Sequence, residues 1–187
     1  GVPAAAITTA ASGDTGLLWS SNNARPNMAF FIDAAKDELL IQHPKFVDAT
    51  IVERIASARD RGVKVDLLCG GKHGISDWDV LDTFASLRLL ERAGVKVRRQ
   101  KHLKLHAKLL LVDDKRALVG SMNIDRSAFD LRRELGVITH DAAVLKTLRK
   151  TFEADWHQAK PYQVPDPLLP DTHHEGELPH DPHFSHE

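Results

Sequence analysis

Cysteine is nearly absent from this chain. Cys69 stands alone among 187 residues, which excludes a disulfide framework within the chain and leaves the compartment open. No excess of one charge is present either: 25 Lys and Arg face 26 Asp and Glu, for a net charge of −1. A protein that coats nucleic acid by bulk charge is thereby disfavoured, and any basic site must be local. No apolar run approaches the ~20 residues that a membrane span requires. The chain begins at Gly1 rather than Met, so the lack of a leader peptide carries no argument, and cytoplasmic, membrane-associated and exported locations all stay open.

What is present suffices for one core. With 42% hydrophobic residues in 187, one domain is the default expectation. Residues 1–15 are small and polar and read as a flexible lead-in. Residues 161–187 hold six of the nine prolines and five of the eleven histidines, with many acids and few large apolar groups. Such a segment buries too little surface to offset its ordering entropy, which predicts an extended or disordered acidic tail. The folded part is therefore expected over residues 16–160.

That middle zone alternates short apolar runs with amphipathic stretches. Strands are predicted at 16–20 (GLLWS), 38–43 (ELLIQH), 63–69 (VKVDLLC) and from Val95 to Arg98. Asn22 and Asn23 offer caps, and Pro26 a first turn, for a helix reaching about Lys36. Asp48 caps a second helix on which Ile51, Val52, Ile55 and Ala58 repeat at helical spacing, closed by Arg59, Arg61 and Gly62. A third is predicted from about Asp77 to Arg92, closed by Gly94, after a glycine-rich loop from Gly70 to Ser76. This alternation predicts an α/β fold: a mixed, mostly parallel sheet with helices on both faces.

The segment from Lys101 to Asp113 reads KHLKLHAKLLLVD. Read as a strand, it places His102, Lys104, His106 and Lys108 on one face and Leu103, Leu105 and Ala107 on the other. Two imidazoles and two ammonium groups side by side repel when protonated. The arrangement suits a face turned toward an anion, although a basic run by itself reads as a solvated strand face.

The residues that follow decide between the two. Four residues separate Lys108 from Asp113, and six more lead to Gly120-Ser121-Met122-Asn123. This HxK(x)4D(x)6GSxN spacing resembles the phospholipase D superfamily of phosphodiesterases. The neighbouring pair His102 and Lys104 fails the same test, because Leu109 stands where its aspartate would be. Glu134 lies 28 residues after His106, where that family places a carboxylate that orients the histidine. The likeness covers most of residues 16–160, including the Arg61–Val65 segment and the Phe152–Trp156 stretch, and implies the family's α/β/α sandwich.

The resemblance implies a role for each residue. His106 would attack phosphorus as a neutral imidazole and carry a phosphohistidine intermediate. Lys108 would hold a non-bridging phosphate oxygen, with Ser121 and Asn123 donating hydrogen bonds to the same group. Glu134 would bond His106 and fix its tautomer. Asp113 and Gly120 are expected to be structural, Asp113 bracing the turn after its strand and Gly120 forming a tight one. His43, His140 and His157 read as hydrogen-bonded core histidines. The chemistry implied needs no metal and no cofactor. The five tail histidines (His173, His174, His180, His183 and His186) fit no structural zinc spacing.

One motif is half of a working centre. In-line displacement places the leaving oxygen on the far side of phosphorus from the nucleophile, so His106 cannot both attack and protonate it. A second motif is required, from a homodimer partner or from another half of a longer chain. For substrate, the basic run Lys96, Arg98, Arg99, Lys101 and Lys104 suits a nucleic-acid backbone, as in a non-specific endonuclease, but aromatics for stacking are scarce there. The segment Asn123 to Phe129 is more similar to phospholipases D and cardiolipin synthases. It departs from the latter in having Arg132 where asparagine is usual and an Arg-Ser pair shifted by one. The sequence therefore points to hydrolysis or transfer at a phospholipid phosphodiester. A folded but inactive half that binds phosphate or dimerises is the reading from another class.

Overall fold

The computed structural model describes residues 16–70, 77–100 and 104–161. The expectations for the lead-in, the glycine-rich loop and the tail beyond Pro161 lie outside the described residues, as does His102. Eight strands form one sheet: β1 (Leu17–Trp19), β2 (Glu38–Gln42), β3 (Lys64–Cys69), β4 (Lys96–Arg99), β5 (Leu109–Val112), β6 (Arg116–Gly120), β7 (Leu135–Thr139) and β8 (Lys160–Pro161). Four helices accompany them: α1 (Ala24–Asp33), α2 (Ala49–Asp60), α3 (Asp77–Arg92) and α4 (Ala142–Gln158). A five-residue π-helical turn, Ser127–Leu131, lies between β6 and β7. The strand order is β1-β7-β6-β5-β2-β3-β4-β8.

Strand alternation divides the apolar residues between two cores. Leu39 and Ile41 of β2, with Leu110 and Val112 of β5, point into a larger core roofed by Met28, Phe31, Ile51, Ile55 and Leu87 of α1, α2 and α3. Leu40, Leu109 and Leu111 point the other way, against Leu145 and Phe152 of α4. The fold is thus an α/β/α sandwich with three helices on one face and one on the other. The helix starts follow simple chemistry: Asp48 accepts from Ile51 N at 3.1 Å, and Asp141 accepts from Val144 N at 2.9 Å. Asn23 stands at the start of α1 but makes no cap bond with its side chain. Its Oδ1 accepts instead from Trp19 N at 2.8 Å.

The sheet is mixed, but its parallel part is smaller than the alternation of elements suggested. Only β2–β3 and β3–β4 pair in parallel; the five other pairings among the described residues are antiparallel. The cause is connection length. The helices α2 and α3 carry the chain back over the sheet and enforce parallel neighbours, whereas a short turn folds β5 onto β6. In that turn Lys115 N donates to Val112 O at 3.0 Å. Its central residues, Asp113 and Asp114, have φ of +52° and +56°, the left-handed conformation that tight hairpins require and Asp tolerates.

Two boundaries also differ from expectation. Helix α1 ends at Asp33 rather than near Lys36, because the N–H groups of Lys36, Asp37 and Glu38 are taken by the Asp113 carboxylate. The strand expected over residues 102–108 begins only at Leu109. Its neighbours β2 and β6 end at Gln42 and Gly120, so residues 104–107 have no ladder to join, and Lys108 only accepts one last bond from Gly120 N at 3.3 Å. Their alternation breaks accordingly: Lys108 is buried, whereas His106 and Ala107 are exposed.

Candidate active site

The ends of β5 and β6 and the start of β7 converge on one edge of the sandwich. There the His106 side chain lies exposed and Lys108 lies buried beneath it. The Lys108 ammonium donates to the His106 carbonyl oxygen at 2.7 Å and sits 3.3 Å from both ring nitrogens. Burial pushes the Lys108 ammonium below the ordinary lysine range, and the Glu134 carboxylate partly counters this by favouring the cation. An imidazole, an ammonium and a carboxylate thus share one small volume.

Ser121 and Glu134 form the second half of the cluster. Ser121 N donates to Leu135 O at 2.9 Å, and its hydroxyl donates to the Glu134 carboxylate. No hydrogen bond joins Glu134 to His106; the carboxylate meets the serine hydroxyl that the β6–β7 pairing places beside it. Asn123 is half-buried, and its Oδ1 has no hydrogen-bond partner. Gly120 closes β6 opposite Gly136 rather than forming a tight turn. A Cβ there would stand 2.5 Å from Leu135 O and 2.8 Å from the Gly136 Cα. Only glycine lets the two strands approach this closely and bring Ser121 beside Glu134.

Asp113 lies at the other end of β5, away from the cluster. It accepts from the backbone N–H groups of Lys36, Asp37 and Glu38 at 3.0, 2.8 and 2.9 Å. Burial opposes ionisation of Asp113, but these donors outweigh it and hold the carboxyl below the usual range. The remaining histidines separate: His43 is fully buried, with its Nδ1 unpartnered. His140 and His157, expected in the core, are exposed, since the former follows β7 and the latter lies on the outer side of the last turn of α4.

Several supporting residues gave no signal in the sequence. Ser20 is buried, and its hydroxyl bonds the Arg132 carbonyl and accepts from Glu134 N at 2.8 Å. This clasp sets where β7 begins, and a lone serine after an apolar run does not announce it. Lys45 pairs with Asp125 at 2.9 Å, and Ile124 O accepts from Val47 and Asp48 N. Together they tie the loop after β2 to the segment that follows Asn123. Arg25 bridges Asp48 and Asp130 at 2.9 and 2.7 Å, anchoring the π-helical turn. Within the basic run, Arg98 lies 4.7 Å over the Trp156 ring and donates to its carbonyl at 2.8 Å, so its charge is committed to holding α4. Among the described residues, no group of three or more His, Cys, Asp or Glu side chains is placed to hold a metal. No helix among them is long and apolar enough to cross a membrane.

Solved structures place this architecture. The phospholipase D family member Nuc from Salmonella typhimurium superposes with a TM-score of 0.71 at 20% identity, over 79% of this chain and 97% of that one. Phosphatidylserine synthase from Haemophilus influenzae gives 0.62 at 18%, over 78% of this chain and 39% of that one. The fold is that of the phospholipase D superfamily. Within it, residues 28–156 match the family model of the cardiolipin synthase, phospholipase D-like domain, and the chain belongs to that family. Cardiolipin synthase 1 of Staphylococcus epidermidis is 31% identical over 132 residues, 69% of this chain. The chain spans about a quarter (26%) of the length of that curated relative.

Proposed function

We propose that this chain is one catalytic half of a phosphodiesterase or phosphatidyltransferase that acts on phospholipid through a covalent intermediate on His106. The observation that carries the reading is the convergence of His106, Lys108, Ser121 and Glu134 at one edge of the sheet, with the imidazole exposed and the ammonium buried against it. In the first step a His106 ring nitrogen forms a bond to phosphorus and the bond to the leaving oxygen breaks. That oxygen takes its proton from an acid on the opposite side. In the second step water or an alcohol attacks phosphorus, the N–P bond breaks, and the attacking hydroxyl gives its proton back to the same opposing group. Lys108 neutralises the non-bridging oxygens as charge builds. Ser121 and Asn123 donate to the phosphate, and Glu134 orients His106 once substrate draws the Ser121 hydroxyl away.

The opposing group belongs to a second motif, on another copy or another half of a longer chain. A surface for such a partner is available. Leu17 and Trp19 of β1, Val119 of β6, and Leu135 and Val137 of β7 are exposed on one face of the sheet, with Val137 directly between Leu17 and Val119. α4 lies on this same face but leaves this part of it uncovered, and the strip is contiguous in sequence with Ser20, Ser121 and Glu134. Similarity to cardiolipin synthases, at 31% identity, favours a lipid substrate.

Turnover of phosphatidylglycerol and phosphatidylcholine vesicles, run beside plasmid nicking with His106→Ala as control, tests the reading. Lipid turnover and a trapped phosphorylated His106 are expected, with gel filtration showing a dimer. Nicking without lipid turnover would favour a nuclease. A strict monomer with no covalent adduct would reduce this chain to a non-catalytic half.

A further inference from the structure

His43 ends β2 and is 1% exposed. The β2–β5 ladder pairs Leu39 with Val112, Leu40 with Leu111, Ile41 with Leu110 and Gln42 with Leu109. The ladder ends there, and His43 and Lys108 are the next residue on each side beyond that last pair. The His43 ring edge meets Phe46 at a centroid distance of 6.1 Å, and its backbone N–H donates to Leu68 O at 3.2 Å. Its Nδ1, however, has no hydrogen-bond partner.

A buried polar atom left unpaired costs stability and calls for a reason beyond packing. A leucine or phenylalanine would fill this site without that cost. The imidazole cannot serve as a charge either: burial, and then the positive charge of Lys108, lower its pKa to about 3. What remains is a neutral, polar and rigid neighbour for a buried ammonium.

We infer that His43 is a positioning residue for Lys108, a neutral imidazole that holds the buried lysine in line with the phosphate site without competing for the anion. This rests on the phosphate-binding reading of Lys108. The loop that carries His43 continues directly to Lys45 and Phe46. These grip Asp125 and Ile124, through an ion pair at 2.9 Å and an isolated bridge. One short segment thereby sets both the lysine beneath the phosphate and the backbone just beyond Asn123.

The test is a double-mutant cycle on the full chain, read by binding of inorganic phosphate and by melting temperature. His43→Leu is expected to weaken phosphate binding about tenfold, as coupled neighbours typically do, while leaving the melting temperature unchanged or higher. His43→Gln, neutral and polar, is expected to recover most of the binding. In a Lys108→Met background, His43→Leu is expected to cause no further loss. A His43→Leu variant that binds phosphate as tightly as the wild type overturns the inference, and so does a full tenfold loss that persists without Lys108. A melting temperature that falls in step with binding would mark His43 as merely structural. Failure of the parent reading is separate: it would show as no turnover of any phosphodiester by the wild type, whatever the outcome of the phosphate cycle.

Discussion

The two ends of strand β5 are built on opposite principles. At the Asp113 end every strong group is engaged: the carboxylate receives three backbone N–H groups, and the adjoining turn closes its own hydrogen bond. At the Lys108 end the ladder has stopped, an ammonium is buried, and His43 Nδ1 and Asn123 Oδ1 are left without partners. One aspartate and one lysine of the same motif, five residues apart in sequence, serve different tasks. The closed end fixes where the strand lies; the open end leaves polar groups without partners in the chain.

Substitutions can break that contrast one end at a time. The largest effect is expected from His106→Ala, which should cut turnover by about 10³-fold or more while leaving the melting temperature nearly unchanged, since the side chain is exposed. At the closed end the pattern inverts. Asp113→Ala should cost about 1 to 2 kcal/mol of stability, because three backbone N–H donors lose a charged acceptor. Chemical denaturation will measure this, and turnover per folded molecule should stay close to that of the wild type.

A further effect concerns acid. Folding lowers the His43 pKa from 6.5 to about 3, so between those values the unfolded chain binds more protons than the folded one. The stability contributed by neutral His43 is therefore complete above pH 6.5 and is lost progressively as pH falls toward 3. The slope is at most about 1.4 kcal/mol per pH unit. His43→Leu should remove this component, which denaturation curves at pH 4 and pH 7 will reveal. The smallest expected effect is that of a chelator: EDTA should leave turnover unchanged. Loss restored by a divalent ion would instead place a metal at the open end.

Much of this was legible in the sequence for a physical reason. Strand alternation and helix periodicity are local, so β2, β3 and α2 could be read directly, along with the Asp48 cap. The spacing that singles out His106 over His102 is local in the same way, because six residue types at fixed spacing admit one frame. Three things were not. A turn after Asp113 was expected, but its tight antiparallel form was not, because Asp113-Asp114 lacks the glycine that usually marks a left-handed turn. The break before Leu109 depends on where β2 and β6 end, which is a property of three strands together. The Ser20 clasp on Glu134 joins residues 114 positions apart, and nothing local in either segment encodes the other.

The uneven roofing of the sheet has a thermodynamic consequence. Three helices cover one face, but Leu17, Trp19, Val119, Leu135 and Val137 stay exposed on the other. A protein that covers this face engages the folded chain and not the unfolded one, so by mass action it adds to folding stability in proportion to the logarithm of its concentration. For such a chain a melting temperature is a property of the solution as well as of the molecule. Where the covering surface belongs to a second copy, dilution alone would lower it; where it belongs to the same longer chain, dilution would not.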